Sequence, residues 1–291
     1  MVQQCNWLLK KGQNSIKIIS DDTDVFVLAC YFFPKDRNDV KVYIEATSAG
    51  RSLIDIGESV RKNSDIVTSF LSAHAISGCD SVCRYHGIGK LTVIKTMLKK
   101  KLIFLGDIKS SIEDVMQEAT EFVGLCYGAT GKDLTSKRFN SWVKKSQGKL
   151  SSPPKLCTIP PTTESFRQNI LRAHFQCIIW NACLEADPPG IDPTKYGWER
   201  DETNEILLPV MVPKGVEAIP KDILKIFACS CSTDEPCSKG NCSCRKNQLS
   251  CTINCKCYQT HCFSEFSVKE DENAEEQTEK CDTDDEDILE R

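Results

Sequence analysis

The sequence predicts an α/β protein: a sheet with helices, then a helical segment, an irregular cysteine-rich module and a disordered acidic tail. Three patterns predict it. Residues 15–19 and 40–46 alternate apolar and polar side chains as strands do, with an acidic turn after the first. Residues 112–126 and 164–186 repeat their apolar side chains at three- and four-residue steps, the period of a helix lying on a core. Nine of the 18 cysteines then crowd between Cys229 and Cys262, ahead of a run of acids.

At 291 residues the chain has room for one medium domain with appendages, and its 40% hydrophobic share is ordinary for a globular protein. The longest apolar run, Val25 to Phe33, is too short to cross a membrane. The opening Met-Val-Gln-Gln-Cys-Asn lacks the apolar core of a secretory signal. Eight cysteines scatter through residues 1–228 without framework spacing, which fits a reducing compartment. The expectation is an intracellular protein, neither secreted nor membrane-bound. The net charge of -4 hides an asymmetry. Residues 269–291 hold twelve acids and three bases, or -9, so the remaining chain carries +5. Such a tail reads as disordered, either solvating the protein or competing with nucleic acid for its basic body.

Taken in order, Ser15–Ile19 is a strand with Ser20-Asp21-Asp22-Thr23-Asp24 at its C-terminal end, and Val25–Phe33 a buried helix or second strand. Open α/β sheets place ligand chemistry at the ends of such strands, and carboxylates suit magnesium or manganese, although an acidic turn also serves as a cap. Val40–Ala46 is a strand, and Asp65–Ile76 a helix capped by Ser64, with Ile66, Val67, Phe70, Leu71 and His74 on its apolar face. Ser77-Gly78-Cys79-Asp80 follows, then His86-Gly87-Ile88-Gly89-Lys90 and a basic helix ending at Lys99–Lys101. A Gly-x-Gly turn opening a helix offers backbone amides and a positive dipole end to phosphate, and Lys90 and Lys95 add cations. Residues 112–126 form the amphipathic helix noted above. Leu134–Lys145 forms a shorter one carrying Phe139, Trp142 and Val143. Prolines at 153–154 and 160–161 interrupt the chain before a long helix over Glu164–Ala186, whose Phe166, Ile170, Ala173, Cys177, Trp180 and Leu184 face a core. In that helix His174 and Cys177 lie one turn apart, where packing outweighs a shared metal. Asp187–Glu205 reads as a loop and Leu207–Phe227 as an irregular linker.

The cysteine stretch reads Cys229-x-Cys231-x5-Cys237-x4-Cys242-x-Cys244-x6-Cys251-x3-Cys255-x-Cys257-x4-Cys262. Nine thiols cannot all pair as disulfides, and Cys-x-Cys steps suit a metal better. Six terminal and three shared sulfurs supply the twelve contacts of about three tetrahedral zinc ions, and zinc favours thiolate. With so little apolar residue nearby, the metal must supply the folding free energy. His261, beside Cys262, is a substitute ligand.

This spacing resembles the tesmin-type CXC domain. The gaps before Cys237, Cys242 and Cys262 are slightly longer than in that family, and Asn241 stands where the family carries a tyrosine that reaches the DNA minor groove. The acidic turn, the Ser-Gly-Cys-Asp and the Gly-Ile-Gly-Lys together resemble a PIN-like, flap-endonuclease-type core, with a Rossmann-like sheet. That resemblance implies Asp22, Asp24 and Asp80 as catalytic acids holding magnesium or manganese, and Gly87, Gly89, Lys90 and Lys95 as DNA-binding. Further acids of the family lie on an earlier strand and helix, whereas residues 1–17 contain none. Three acids hold one ion rather than the two that metal-assisted phosphodiester hydrolysis uses. Asp21, Glu45 and Asp55 are the nearby alternatives. The whole order of features resembles transposon-associated animal proteins joining such a core to a cysteine cluster.

The expected organisation is therefore a truncated PIN-like domain over 1–148, a helical extension and linker over 149–228, a zinc module over 229–262 and an acidic tail over 263–291. The resemblance implies a nuclear, zinc-binding protein associated with DNA or chromatin, its nucleic-acid contacts weak, with a degenerate nuclease core. The CXC module is expected to take a chromatin or protein partner. The alternative is an active magnesium-dependent nuclease cutting branched or flapped DNA.

Overall fold

A computed structural model of the chain describes residues 1–33, 40–47, 52–146, 155–186, 190–201, 203, 206–213, 215, 229–232, 237, 242–246, 251 and 255–257. Cys262, His261 and the acidic tail lie outside these residues, as does much of the linker. The chain forms two compact units, one over Met1–Met211 and the other over Val212–Thr283.

The first unit is mixed α/β. A helix absent from the sequence expectation, α1 (Val2–Lys10), precedes strand β1 (Ser15–Ile19). The chain continues through α2 (Thr23–Phe32) into β2 (Lys41–Glu45), which pairs with β1 in parallel, so the three form a βαβ crossover. Register sets Ile16 opposite Val42 and Ile18 opposite Ile44. All four are buried, because alternate side chains share one face. The short strand β3 (Ile54–Asp55) adds antiparallel to β2. Asp22 caps α2 by accepting the Asp24 N–H at 2.8 Å, and Asp55 likewise caps α3 (Ile56–Lys62) through the Glu58 N–H at 3.0 Å.

The helix expected over Asp65–Ile76 begins later. Asn63 accepts from both the Ile66 and the Val67 N–H, a tight turn continued by a 3-10 segment over Val67–Ser69. Val67, Thr68 and Ser69 favour an α-helix poorly, and α4 runs only over Phe70–Ser77, with Ser64 capping nothing in it. All eight residues of α4 are buried, so it has no polar face. The basic helix α5 (Lys90–Met97) likewise stops short of Lys99, whose N–H turns back to the Thr96 carbonyl.

Helix α6 (Ile112–Cys126) starts with a reciprocal cap between Ser111 and Asp114 and buries Val115, Ala119, Phe122 and Val123. Helix α7 (Leu134–Ser146) follows, then α8 (Thr163–Asn181). Ala182 closes α8, leaving Leu184, expected in the core, 40% exposed. Pro188 and Pro189 just beyond disfavour helical backbone before them. Residues 187–227 were expected to be irregular, yet β4 (Trp198–Arg200) and β5 (Leu207–Pro209) pair antiparallel there.

Helix α8 fastens the loops of this unit. Asn169 accepts the Cys83 N–H at 3.0 Å and donates to the Cys83 carbonyl at 2.9 Å. Gln176 accepts from the Ser81 hydroxyl at 2.6 Å. Buried Arg172 donates to the carbonyls of Gly197 and Val210, holding the β4–β5 hairpin. Gly197 has a φ of 81°, and a Cβ there would lie 2.7 Å from the Gln168 carbonyl, so only glycine fits. Among the described residues, no helix is long and apolar enough to cross a membrane.

Candidate metal centre

The second unit buries sulfur where the first buries hydrocarbon. Cys229, Cys237, Cys242, Cys244, Cys255 and Cys257 form its buried cluster, with Cys231 and Cys251 partly buried against it. Two sets of four thiols each gather their sulfurs within 4.8 Å: Cys229, Cys251, Cys255 and Cys257, and Cys229, Cys237, Cys242 and Cys251. The Cys229 sulfur lies 3.4 Å from that of Cys257, 3.6 Å from that of Cys237 and 3.8 Å from that of Cys251. A disulfide needs about 2.0 Å. A tetrahedron of sulfurs about 2.3 Å from a zinc ion has edges of about 3.8 Å. The separations match the tetrahedron, and each of these cysteines is a thiol rather than half of a disulfide. Cys229 and Cys251 belong to both sets, so their sulfurs stand where a thiolate can bridge two ions.

Local backbone bonds hold the donors in place. Cys242 precedes a single helical turn, Ser243–Lys246, and its sulfur accepts the Arg245 N–H at 3.5 Å. The Cys229 carbonyl accepts from Lys256 at 3.0 Å, while the Cys229 N–H points to the Cys255 sulfur at 3.5 Å. Cys237 has a φ of 66°, a left-handed conformation costing about 1–2 kcal/mol for a side-chain-bearing residue. Burial and the neighbouring Cys257 thiol push the Cys237 thiol up, and burial pushes that of Cys244 up to about 12. At Cys242 burial is outweighed by the Arg245 N–H and the Cys237 and Cys229 thiols, bringing it down to about 7. Crowded thiols resist ionising together without a cation. A divalent ion reverses that, and an all-sulfur donor set suits a soft ion such as zinc. The cluster can therefore hold metal.

The acids of the first unit are arranged differently. Asp22 is exposed and occupied in capping α2. Asp24, in the first turn of that helix, places Oδ1 2.5 Å from Nε2 of buried His74 on α4. His74 in turn stacks on Trp180 of α8, with ring centroids 5.6 Å apart. Asp80 is exposed in the turn closed by Cys79 and Val82. Among the described residues, groups of three or more ligand atoms within 4.8 Å occur in the cysteine sets, and the three aspartates do not form one. The neighbouring acids are engaged too: Asp21 accepts from Thr47, Glu45 pairs with Lys17 at 2.6 Å, and Asp55 caps α3. Sequence reasoning gave His74 a packing role and missed its bond to Asp24, which spans 50 positions.

At the glycine turn, Gly87 has a φ of 70°, Ile88 is buried, and Gly89 begins α5 with no side-chain cap. Among the described residues, Lys90 and Lys95 have no carboxylate partner within ion-pair distance, whereas Lys100 pairs with Glu121. His174 and Cys177 share no ligand: His174 Nδ1 accepts the Gly106 N–H at 2.9 Å, and the Cys177 thiol points to the Leu71 carbonyl at 3.6 Å.

Comparison with protein-family models, with curated proteins and with solved structures returns no match for this chain.

Proposed function

We propose that this chain is a zinc-stabilised protein of the nucleus that associates with DNA or chromatin, built on a PIN-like core of transposon origin that does not cleave. The observation that carries the zinc reading is the pair of four-sulfur sets sharing Cys229 and Cys251. Shared sulfurs are what nine cysteines need to saturate about three zinc ions. Metal analysis of the full chain, purified under reducing conditions, is expected to return about three zinc ions per molecule. One ion or none, with the cysteines oxidised to disulfides, would overturn the reading.

The nucleic-acid part rests on the uncapped α5 start at Gly89 and the cations of Lys90 and Lys95, which suit a phosphate backbone. The non-cleaving part rests on Asp24. Its carboxylate is committed to His74, and Asp22 is committed to its cap, so two divalent ions lack the carboxylates they require. A magnesium- or manganese-dependent cleavage assay on flapped and single-stranded DNA should therefore show no difference between the chain and an Asp22→Asn, Asp80→Asn variant. Cleavage that the variant abolishes would make the active nuclease the better reading.

A further inference from the structure

Helix α7 turns two large aromatic rings to solvent. Phe139 is 61% exposed and Trp142 40%, while Leu134, Lys137 and Ser141 form the buried side. At about 100° per residue Phe139 lies opposite that buried side and Trp142 flanks it, the two one turn apart. Phe139 presents most of its surface to solvent and Trp142 a large part of its own.

The described surface around them carries exposed cations at Lys132, Lys144, Lys145 and Lys155. Arg138 and Lys145 reach the carbonyls of Pro160 and Thr158, which sets the segment starting at Lys155 alongside the helix. Leu156 is 65% exposed there, next to exposed Lys155. Residues 132–155 contain seven bases and a single acid, Asp133, whose exposed carboxylate accepts the Ser136 N–H at 2.7 Å. Among the described residues, none of these bases is ion-paired with a carboxylate. Tyr127 joins the patch to the glycine turn. Its hydroxyl donates to the His86 carbonyl at 3.5 Å, and Arg138 and Cys157 are close enough to act on it electrostatically.

Convex aromatics flanked by cations that have no carboxylate partner among the described residues match one ligand chemistry. Phosphates answer the charge, and unstacked bases answer the rings, whereas the bases of a duplex are already stacked and out of reach. An apolar peptide would want a groove, and a helix face is not one. We propose that α7 and the segment at Lys155–Leu156 form a stacking platform for a single nucleic-acid strand. Phe139 and Trp142 each take a base, Lys144 and Lys155 follow the phosphates, and the strand runs on toward Gly87–Lys90. Only that last step rests on the nucleic-acid reading of the glycine turn.

The test is fluorescence anisotropy of the full chain with a labelled oligothymidylate of about 20 nucleotides and with a duplex of equal length. The single strand is expected to bind more tightly. Phe139→Ala with Trp142→Ala should weaken it by roughly 10-fold or more and leave the duplex unchanged, while Trp142→Phe retains binding. Phe139 is mostly exposed and Trp142 partly so, and an unchanged circular dichroism spectrum and urea midpoint of the variant show that the fold is kept. Single-strand binding that ignores the aromatic pair but falls with Lys144→Glu and Lys155→Glu overturns the platform and leaves charge-only attraction. If Lys90→Glu with Lys95→Glu changes nothing while the aromatic variant loses the strand, the platform stands and the glycine-turn reading falls. The reverse pattern overturns the platform alone.

Discussion

His174 shows how one buried polar side chain decides both a loop position and a response to acid. It is 1% exposed, and its Nδ1 accepts the Gly106 N–H, while Asn181 donates to the Gly106 carbonyl at 3.1 Å. Both backbone groups of Gly106 are thus satisfied from α8. A Cβ on Gly106 would lie 2.5 Å from that of Cys177, which fixes glycine there as firmly as its φ of 94°. Burial lowers the His174 imidazole to about 4, with Asp107 pulling weakly the other way. The unfolded chain, with an ordinary histidine near 6.5, takes up a proton more readily than the folded one. This contribution to stability is complete above about pH 6.5, falls as pH drops toward 4, and levels off below. The expected loss from this residue reaches about 3 kcal/mol. Urea midpoints measured from pH 7.5 to 4 should fall accordingly, and His174→Gln should flatten that slope. A slope unchanged by the substitution would assign it to other groups.

Among the elements, those with a clean period were legible. The stripe of Val115, Ala119, Phe122 and Val123 specifies α6, and the alternation of Ser15–Ile19 specifies β1 to the residue. Helix α4 was blurred because its neighbours 65–69 carry apolar residues at helical spacing but bond as a tight turn, a choice set by local backbone propensity. The β4–β5 hairpin was invisible for a different reason. Its strands are three residues each and half exposed, with no alternation to read, and Arg172 from a distant helix holds it. The same division holds at the sites. Cysteine spacing announced the sulfur cluster because ligands for metal must be particular residues. The Asp24–His74 bond and the two backbone N–H groups, of Ile103 and Phe104, held by buried Glu118 depend on distant elements meeting, which no local pattern records.

For the molecule as a whole, the two units bury unlike side chains, and if the sulfur cluster holds metal as proposed, chelation should separate them. The first buries Phe122, Phe166, Ile56, Ile76 and Met97 in an apolar core. The described buried residues of the second are cysteines. Removing metal removes the cation that makes such a cluster favourable and leaves an apolar core untouched. After treatment with a strong chelator, an alkylating reagent should label Cys229 to Cys257 rapidly while Cys30 and Cys177, each at most 1% exposed, stay protected. Labelling of those two at the same rate would mean that the units melt together.

The reach of α8 also sets an order in time. Its bonds return 68 positions to Gly106, 86 to Cys83, 95 to Ser81 and 106 to Leu71. During synthesis β1, α2 and β2 can pair as soon as they emerge, being near neighbours in the chain. Helix α4 meets α2 early, through His74 and Asp24, but α8, which also packs on it, is translated roughly 100 residues later, a delay on the order of 5–20 s at ribosomal speed. Until then its eight apolar-rich residues have nothing from α8 to bury them. A helix whose eight residues are all buried in the finished protein therefore keeps its α8-facing side open to a chaperone on the growing chain until that helix arrives.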